Sequence, residues 1–500
     1  MPEEFGHVAR LKGGILGARH LRLPADALYI SDPAALHSIL IRQHAWFPES
    51  TEFAGLFGLI HCGDGADATT ISGREHKKQR KYMDALFTAS RVSKLTPMFY
   101  QVTHRLQSKL TSDLSGEPPG QVVDMLDYLT RAALEIIGIA GIGHTFNSFD
   151  DESKEFDEFH TAITTVLPLG SRLFLVAPFM ESWRKMQPVW LRRILASVAT
   201  SLWPVASRFK AAIEVMQPIY VKIYNSRIKA VEEGGSAAMA ESPAGGKDLL
   251  TSMVQANWDA DQADQMPAHT VLANMGSIVH GGQETTSSAL ARLLSMFAAD
   301  PDLQNKLRVE LQEAKAKKAP GEDLDFNELE NLPLLDAVVR EMLRVHSPVT
   351  FVWRQTMKDV MVPLTYPIRS TVTGEETNQL LIEKGTSVYL GLSAANRSTA
   401  IWGPDAAEFK PERWLNRSQN DSKLPGAYSG LMTFLNGAKV CPGRMFALLE
   451  LKLVLAVLLL GFSFEPVSDQ IDWTMGITLE PRVRGRENEG LQVPVRVKVL

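Results

Sequence analysis

Along most of the chain apolar residues return every three or four positions, the spacing that places them on one face of an α-helix. Between 91 and 230 the pattern is nearly continuous, as at Leu126, Leu129, Ala133, Ile136 and Ile137. A second run predicts one long helix from about 267 to 298, and 335–344 continues a third. Residues 445–460 are apolar almost throughout and form a helix-type run. Strand signals are few. Leu21-Arg22-Leu23 and Leu28-Tyr29-Ile30, parted by Pro24-Ala25-Asp26, predict a short hairpin, and Asp32-Pro33 then opens a helix through Ile39 and Leu40. Strand-like segments flank 473–478 and end at Val499. Residues 51–72, rich in Gly, Thr and Asp around Phe53, Leu56, Phe57 and Ile60, predict a long loop of the kind that covers a ligand. Residues 232–246 predict a flexible surface loop and not a domain boundary, so one large, mainly helical domain over residues 1–500 is expected.

Composition adds exclusions. Apolar residues make up 45% and charged ones 22%, which suits a globular protein with a large core. A net charge of −5 and no Lys/Arg-rich block of the usual length argue against nucleic-acid binding. The opening Met1-Pro2-Glu3-Glu4-Phe5 is not a signal peptide, and Glu450 and Lys452 interrupt the one long apolar run, so no membrane span is read. Residues 163–205 keep Leu173, Phe174, Leu175, Phe179, Trp183, Trp190 and Trp203 amid few charges; core helices explain this, and an apolar lid resting on a membrane surface is the alternative.

Candidate chemistry gathers before the 445–460 run. Phe434, Gly437, Cys441 and Gly443 form the pattern Phe-x-x-Gly-x-x-x-Cys-x-Gly, with Pro442 suited to a first helical position. A thiol there meets the amides and dipole of a helix start, which favour a thiolate, and the glycines let a flat cofactor approach the backbone. A buried structural cysteine before a core helix is the plainer alternative. Inside the long helix, Gly281 and Gly282 cost roughly 2 kcal/mol relative to alanine and so want a reason, close approach of a cofactor being one. The acid and alcohol Glu284 and Thr285 follow them.

The cysteine loop resembles the haem-thiolate loop of the cytochrome P450 superfamily, and ordered motifs elsewhere agree with it. Glu341 and Arg344 on one helical face, followed downstream by Phe409-Lys410-Pro411-Glu412-Arg413-Trp414, match the family's Glu-Arg-Arg triad, a structural ion network. Two departures stand out. Lys439 stands where the family has an arginine, keeping the charge for a haem propionate without the bidentate fork. His76 stands where the family has tryptophan, four residues before Arg80. The wording of the motifs looks most like filamentous or mushroom-forming fungal members.

The resemblance implies a mainly α fold with a small β-rich lobe, about 15–60 plus parts of 349–395, and haem b between the central helix and the cysteine loop. It implies Cys441 as the iron ligand, and His76, Arg80, Gly281, Gly282, Arg354, Phe434, Gly437, Lys439 and Gly443 as cofactor-binding. Glu284 and Thr285 would manage protons for a monooxygenase that inserts one oxygen atom from O₂ into a lipophilic small molecule, such as a terpenoid of secondary metabolism. Pocket candidates are Phe57, Ile60, Val279, Val349, Phe351, Met475 and Ile477. Electrons would come from NADPH through NADPH-cytochrome P450 reductase, with cytochrome b5 as a further partner; Lys77, Lys78 and Lys81 give a basic patch for docking one. Eukaryotic members commonly carry an N-terminal anchor before a Pro-rich hinge, so the expected place is the cytosolic face of the endoplasmic reticulum, through an anchor beyond this sequence or through peripheral contact alone. With Cys441 on iron, Cys62 has no disulfide partner, which fits a reducing location. A haem-thiolate isomerase or peroxide-using enzyme, and a haem carrier or sensor, stay open as rivals; the intact Glu284-Thr285 pair leans against both.

Overall fold

A computed structural model describes residues 6–11, 27–61, 67–115, 120–150, 153–173, 186–233, 243–369, 374–415 and 423–500. The elements that position the site are, in chain order, strands β1 (Val8–Leu11) and β2 (Ala27–Ile30), helices α1 (Pro33–His37), α2 (Thr51–Ile60), α3 (Gly73–Leu86), α4 (Thr96–Leu114), α5 (Met125–Ile136), α6 (Lys154–Leu173), α7 (Val189–Leu202), α8 (Pro204–Glu232), α9 (Ala268–Ala299) and α10 (Pro333–Val345), strands β3 (Phe351–Gln355), β4 (Val360–Arg369), β5 (Glu376–Ile382) and β6 (Ser387–Gly391), helix α11 (Arg444–Gly461), and strands β7 (Ile471–Met475) and β8 (Leu479–Val483).

Helix α9 is the axis of the molecule. Its 32 residues span about 48 Å at 1.5 Å per residue, and Val271, Met275, Val279, Leu290, Leu293, Leu294 and Phe297 are buried along its whole length. Each such side chain contributes roughly 1.5–3 kcal/mol of burial, enough to outweigh the glycines within it. Those glycines answer separate packing needs. A Cβ at Gly276 would come within 2.9 Å of the His61 carbonyl, and one at Gly282 within 2.8 Å of the Ile137 side chain. Gly282 is thus needed by a neighbouring helical turn, whereas a Cβ at Gly281 would meet nothing within 4 Å. Helix α11, buried at Phe446 and from Leu448 to Leu459, packs on α4 and α9 and carries the cysteine loop at its head.

The β-rich lobe is a sheet of order β1-β2-β6-β3, with β2 and β6 parallel (Tyr29 opposite Tyr389) and both edges antiparallel (Val8 opposite Ile30, Trp353 opposite Tyr389), next to the β4–β5 hairpin. Strand β2 therefore pairs with a strand before residue 15; the expected partner, 21–23, lies outside the described residues. Asp32 caps α1 by accepting from Ala35 N, as its sequence position predicts. Residues 51–60, expected as loop, are helix α2, capped by Ser50. Helix α7 corrects the core-helix reading of its stretch: Trp190, Ile194, Val198 and Leu202 are exposed, by 61% and 80% for the first and last. Phe174, Leu175, Phe179 and Trp183 lie outside the described residues, as does most of 232–246. Among the described residues no helix is long and apolar enough to cross a membrane.

Candidate functional site

The cysteine loop is held by its own backbone. Cys441 N donates to Phe434 O at 3.0 Å, Ala427 N donates to Leu435 O at 2.9 Å, and Asn436 accepts from Gly437 N at 2.7 Å. Leu435 adopts φ +57°, unusual for a side chain of its size and consistent with a functional loop. Gly437 has φ +70°, and a Cβ there would lie 2.2 Å from the Leu40 carbonyl, so the loop needs this glycine for packing against residues 38–42. Phe434 is buried against Tyr428. Gly443 is open, its nearest neighbour being Phe87 at 3.9 Å from a built Cβ. Helix α11 begins at Arg444 with Gly443 as its cap, so Pro442 precedes the helix instead of opening it. Cys441 is a free thiol; burial pushes its pKa up, while the Gly443 amide, Arg80 and Arg444 pull it down without prevailing. The helix start alone does not ionise this sulfur, and a metal cation would have to complete the task.

Around the loop, two segments remote in sequence deliver cations, and the loop adds Lys439 of its own. Arg80 on α3 donates to Val440 O at 2.8 Å and pairs with Asp84 at 2.6 Å. Arg354 on β3 is buried, donates to Trp353 O and lies 3.6 Å from Glu49. Lys439 pairs with Glu49 at 3.0 Å. His76, 3% exposed, sits among them with Nε2 lacking any partner; burial, then Lys439 and Arg80, push its pKa down to about 4. Among the described residues Glu49 is the only carboxylate paired with Arg354 or Lys439. A free thiol on a fixed loop, buried cations in excess and an unsatisfied imidazole nitrogen suit an iron macrocycle with two carboxylate arms, so these residues fit a haem.

Glu284 and Thr285 are neighbours on α9 but, about 100° apart around the helix, they do not bond each other. Glu284 accepts from Thr478 Oγ1 in the β7–β8 turn, and its Oε2 is buried without a partner. Burial, with Glu480 nearby, raises its pKa to about 7 against the pull of Thr478. It lines a cleft of about 1190 Å³ with Asp157, Arg172, Arg208, Arg482 and Glu487. Thr285 donates to Gly281 O at 2.8 Å, the back-bond available to any helical threonine.

The Glu-Arg-Arg residues meet as expected. Arg344 grips Glu341 with Nε to Oε2 at 2.8 Å and Nη2 to Oε1 at 2.7 Å, both side chains 0% exposed, and Arg413 Nε approaches Glu341 Oε1 at 3.5 Å. Of the apolar pocket candidates, Ile60 and Val279 are fully buried, and Phe351 belongs to a small cluster with Ala27 and Tyr389 inside the β lobe. Phe57, Val349 and Ile477 keep exposed surface, and Met475 is 54% exposed at the tip of its turn. Sequence reading missed Glu49, Thr478 and a buried His61–Asp67 pair whose imidazole packs 5.5 Å from that of His280. His280 itself, which burial and His61 push down to about 3, is an unread member of the central helix.

Fold and donor set together define a haem-thiolate protein. The family model described as Cytochrome P450 matches residues 18–482, and the chain belongs to that family, whose prosthetic group is haem. It is similar to fungal members: 36% identical over 486 residues to cytochrome P450 monooxygenase 91 of Postia placenta, covering 96% of this chain and 85% of that protein. It is 32% identical over 477 residues to the ganoderic acid synthetase of Ganoderma lucidum, covering 95% and 85%. With the cytochrome P450 monooxygenase eriI of Hericium erinaceus it shares 33% identity over 483 residues, covering 94% and 84%.

Proposed function

We propose that this cytochrome P450 is a reductase-dependent monooxygenase of lipophilic, terpenoid-like metabolites, with Cys441 as the iron ligand. The observation that carries the reading is the convergence of Arg80, Arg354 and His76 on the Cys441 loop, where Arg354 and Lys439 share the one buried carboxylate of Glu49 and His76 Nε2 has no partner. Haem held by a cysteine thiolate supplies dioxygen activation, the thiolate favouring O–O cleavage. His76, Arg80 and Arg354 would hold the propionates, and Lys439 adds charge beside them. Gly443 leaves room against the loop, and Gly281 leaves room on α9. Glu284, with a pKa near 7, holds or releases a proton at its free Oε2, and the polar cleft beside it gives access to water. The Thr285 hydroxyl, donating to Gly281 O, keeps its lone pairs for a second donor.

Lipophilic specificity is supported by the surface that Phe57, Val349 and Ile477 retain, and a terpenoid-like metabolite by the similarity to the ganoderic acid synthetase of Ganoderma lucidum. The exposed face of α7 suits peripheral contact with a membrane. Lys77 and Lys81, exposed four residues apart on α3, suit an acidic redox partner such as the reductase; Lys78 does not, because Ala263 O and Gln265 O hold its ammonium. The test is to supply the purified protein with reductase, NADPH and a terpenoid panel, and to measure product and hydrogen peroxide per NADPH in wild type and Thr285→Ala. Product per NADPH should fall in the variant and peroxide rise, with haem content unchanged. Equal ratios in the two proteins would favour the isomerase or peroxide-using reading.

A further inference from the structure

An ammonium group has three N–H donors, and three protein oxygens lie within reach of the one on Lys439: Glu49 Oε2 at 3.0 Å, Ala68 O at 3.1 Å and Ile71 O at 2.6 Å. The two carbonyls belong to a turn that Asp67 builds. Its carboxylate accepts from Thr70 N at 2.9 Å, Thr70 Oγ1 at 2.6 Å and Thr69 Oγ1 at 2.9 Å, and it pairs with His61. From the other side, Ala68 N donates to Asn274 Oδ1 on α9 at 3.1 Å, and Asn274 donates to Gln79 on α3 at 2.9 Å. Ser72 Oγ donates to Glu49 Oε2 at 3.0 Å, so the anion that balances Lys439 also holds the end of the same segment.

We propose that Lys439 is a clasp and not a propionate ligand: with Glu49 as counter-ion, it fixes residues 67–72 against α9 from the cysteine loop. Propionate recognition is then left to His76, Arg80 and Arg354. A compact ammonium can serve three oxygens placed around one nitrogen, which the flat fork of an arginine cannot do from the same position. The clasp makes Lys439 a positioning residue. Through the Asp67 turn it sets the His61–Asp67 pair that packs on His280, and so links the iron side of the molecule to one wall of α9.

The inference rests on the haem-thiolate reading, so the wild type is first checked for a thiolate-type carbonyl spectrum; its absence would overturn that reading, and exchange in the 67–72 turn would still decide the clasp. With that spectrum in hand, Lys439→Met, Lys439→Arg and Glu49→Gln are compared as holoproteins by haem transfer to apomyoglobin and by hydrogen exchange of the amides in 67–72. The clasp predicts haem release within about twofold of wild type in all three, and exchange of the turn about tenfold faster in both Lys439 variants, less in Glu49→Gln. A propionate ligand predicts the reverse: rapid haem release from Lys439→Met, full rescue by Lys439→Arg, and an unchanged turn. Should Lys439→Met fail to fold, Lys439→Arg decides alone, since wild-type exchange in its turn would overturn the clasp and faster exchange with retained haem would support it.

Discussion

Two buried clusters of charge hold this protein together, and they differ in whether their account is closed. In the Glu341 cluster every strong donor has an acceptor: Arg344 spends its fork on Glu341 and its other nitrogen on Asn396 O and Ala406 O, while Trp414 Nε1 and Lys410 N fill the remaining carboxylate sites. Such a network is complete without a ligand, and its task is to fix α10 against the segment that precedes the cysteine loop. In the cluster of His76, Arg80, Arg354 and Lys439, cations outnumber the paired buried carboxylates, and one imidazole nitrogen has no partner. Buried positive charge in excess is costly alone and favourable once an anion arrives. The first cluster therefore reads as architecture and the second as a binding site, although both are built from the same residue types.

The largest effect should come from opening the closed cluster. Glu341→Ala leaves Arg344 buried and unpaired at a cost of about 3–5 kcal/mol, and should abolish most haem-loaded, soluble protein. Normal haem content with a selective loss of turnover would show that the triad serves chemistry instead. A smaller effect is expected in the open cluster, where Arg354 lies 3.6 Å from a Glu49 that is already paired with Lys439. Arg354→Met should leave the fold intact, within about 1 kcal/mol by denaturant midpoint, because it relieves cation repulsion while removing a distant pair with Glu49. Haem transfer to apomyoglobin should nevertheless quicken by about tenfold or more, in line with one lost charge-assisted bond. Unfolding without faster haem release would erase the distinction between the two clusters.

The smallest effect is a slope. Glu284, raised to about 7 from 4.5, binds a proton in the folded state that the unfolded chain releases between those values. Its stabilising contribution is therefore fully present below about pH 4.5 and is lost as pH rises through about 7, at no more than about 1.4 kcal/mol per pH unit. Urea midpoints of wild type and Glu284→Gln across pH 5–8 should diverge by this trend, the variant losing less stability as pH rises. Parallel curves would mean that Glu284 titrates normally and is no proton store.

Different parts of this architecture were legible for different reasons. The long helix predicted at 267–298 is found at Ala268–Ala299, because apolar periodicity accumulates over many turns and leaves little freedom. The Glu341–Arg344–Arg413 set was readable through the family resemblance, which fixes the order of those residue types along the chain, and the three side chains do meet. Helix α2 was misread although Phe53, Leu56, Phe57 and Ile60 have helical spacing; Gly55 and Gly58 weigh against a helix in isolation, and packing overrides that weak preference. Gly282 and Gly437 could not be interpreted from sequence, since a glycine does not name the surface that approaches it; here those surfaces are Ile137 and the Leu40 carbonyl. Glu49 was invisible for a related reason. A lone acid carries no pattern, and its meaning arises only when Arg354 and Lys439 arrive from far along the chain.

The central claim is that Cys441 is the iron ligand, and the most direct measurement is the carbonyl spectrum of the reduced protein beside that of Cys441→Ser. The account predicts the long-wavelength Soret band of a thiolate complex in freshly prepared wild type and its loss in the variant, with whatever haem remains in Cys441→Ser giving a band at shorter wavelength. A histidine-like spectrum in the native protein, or the same long-wavelength band in Cys441→Ser, would contradict it.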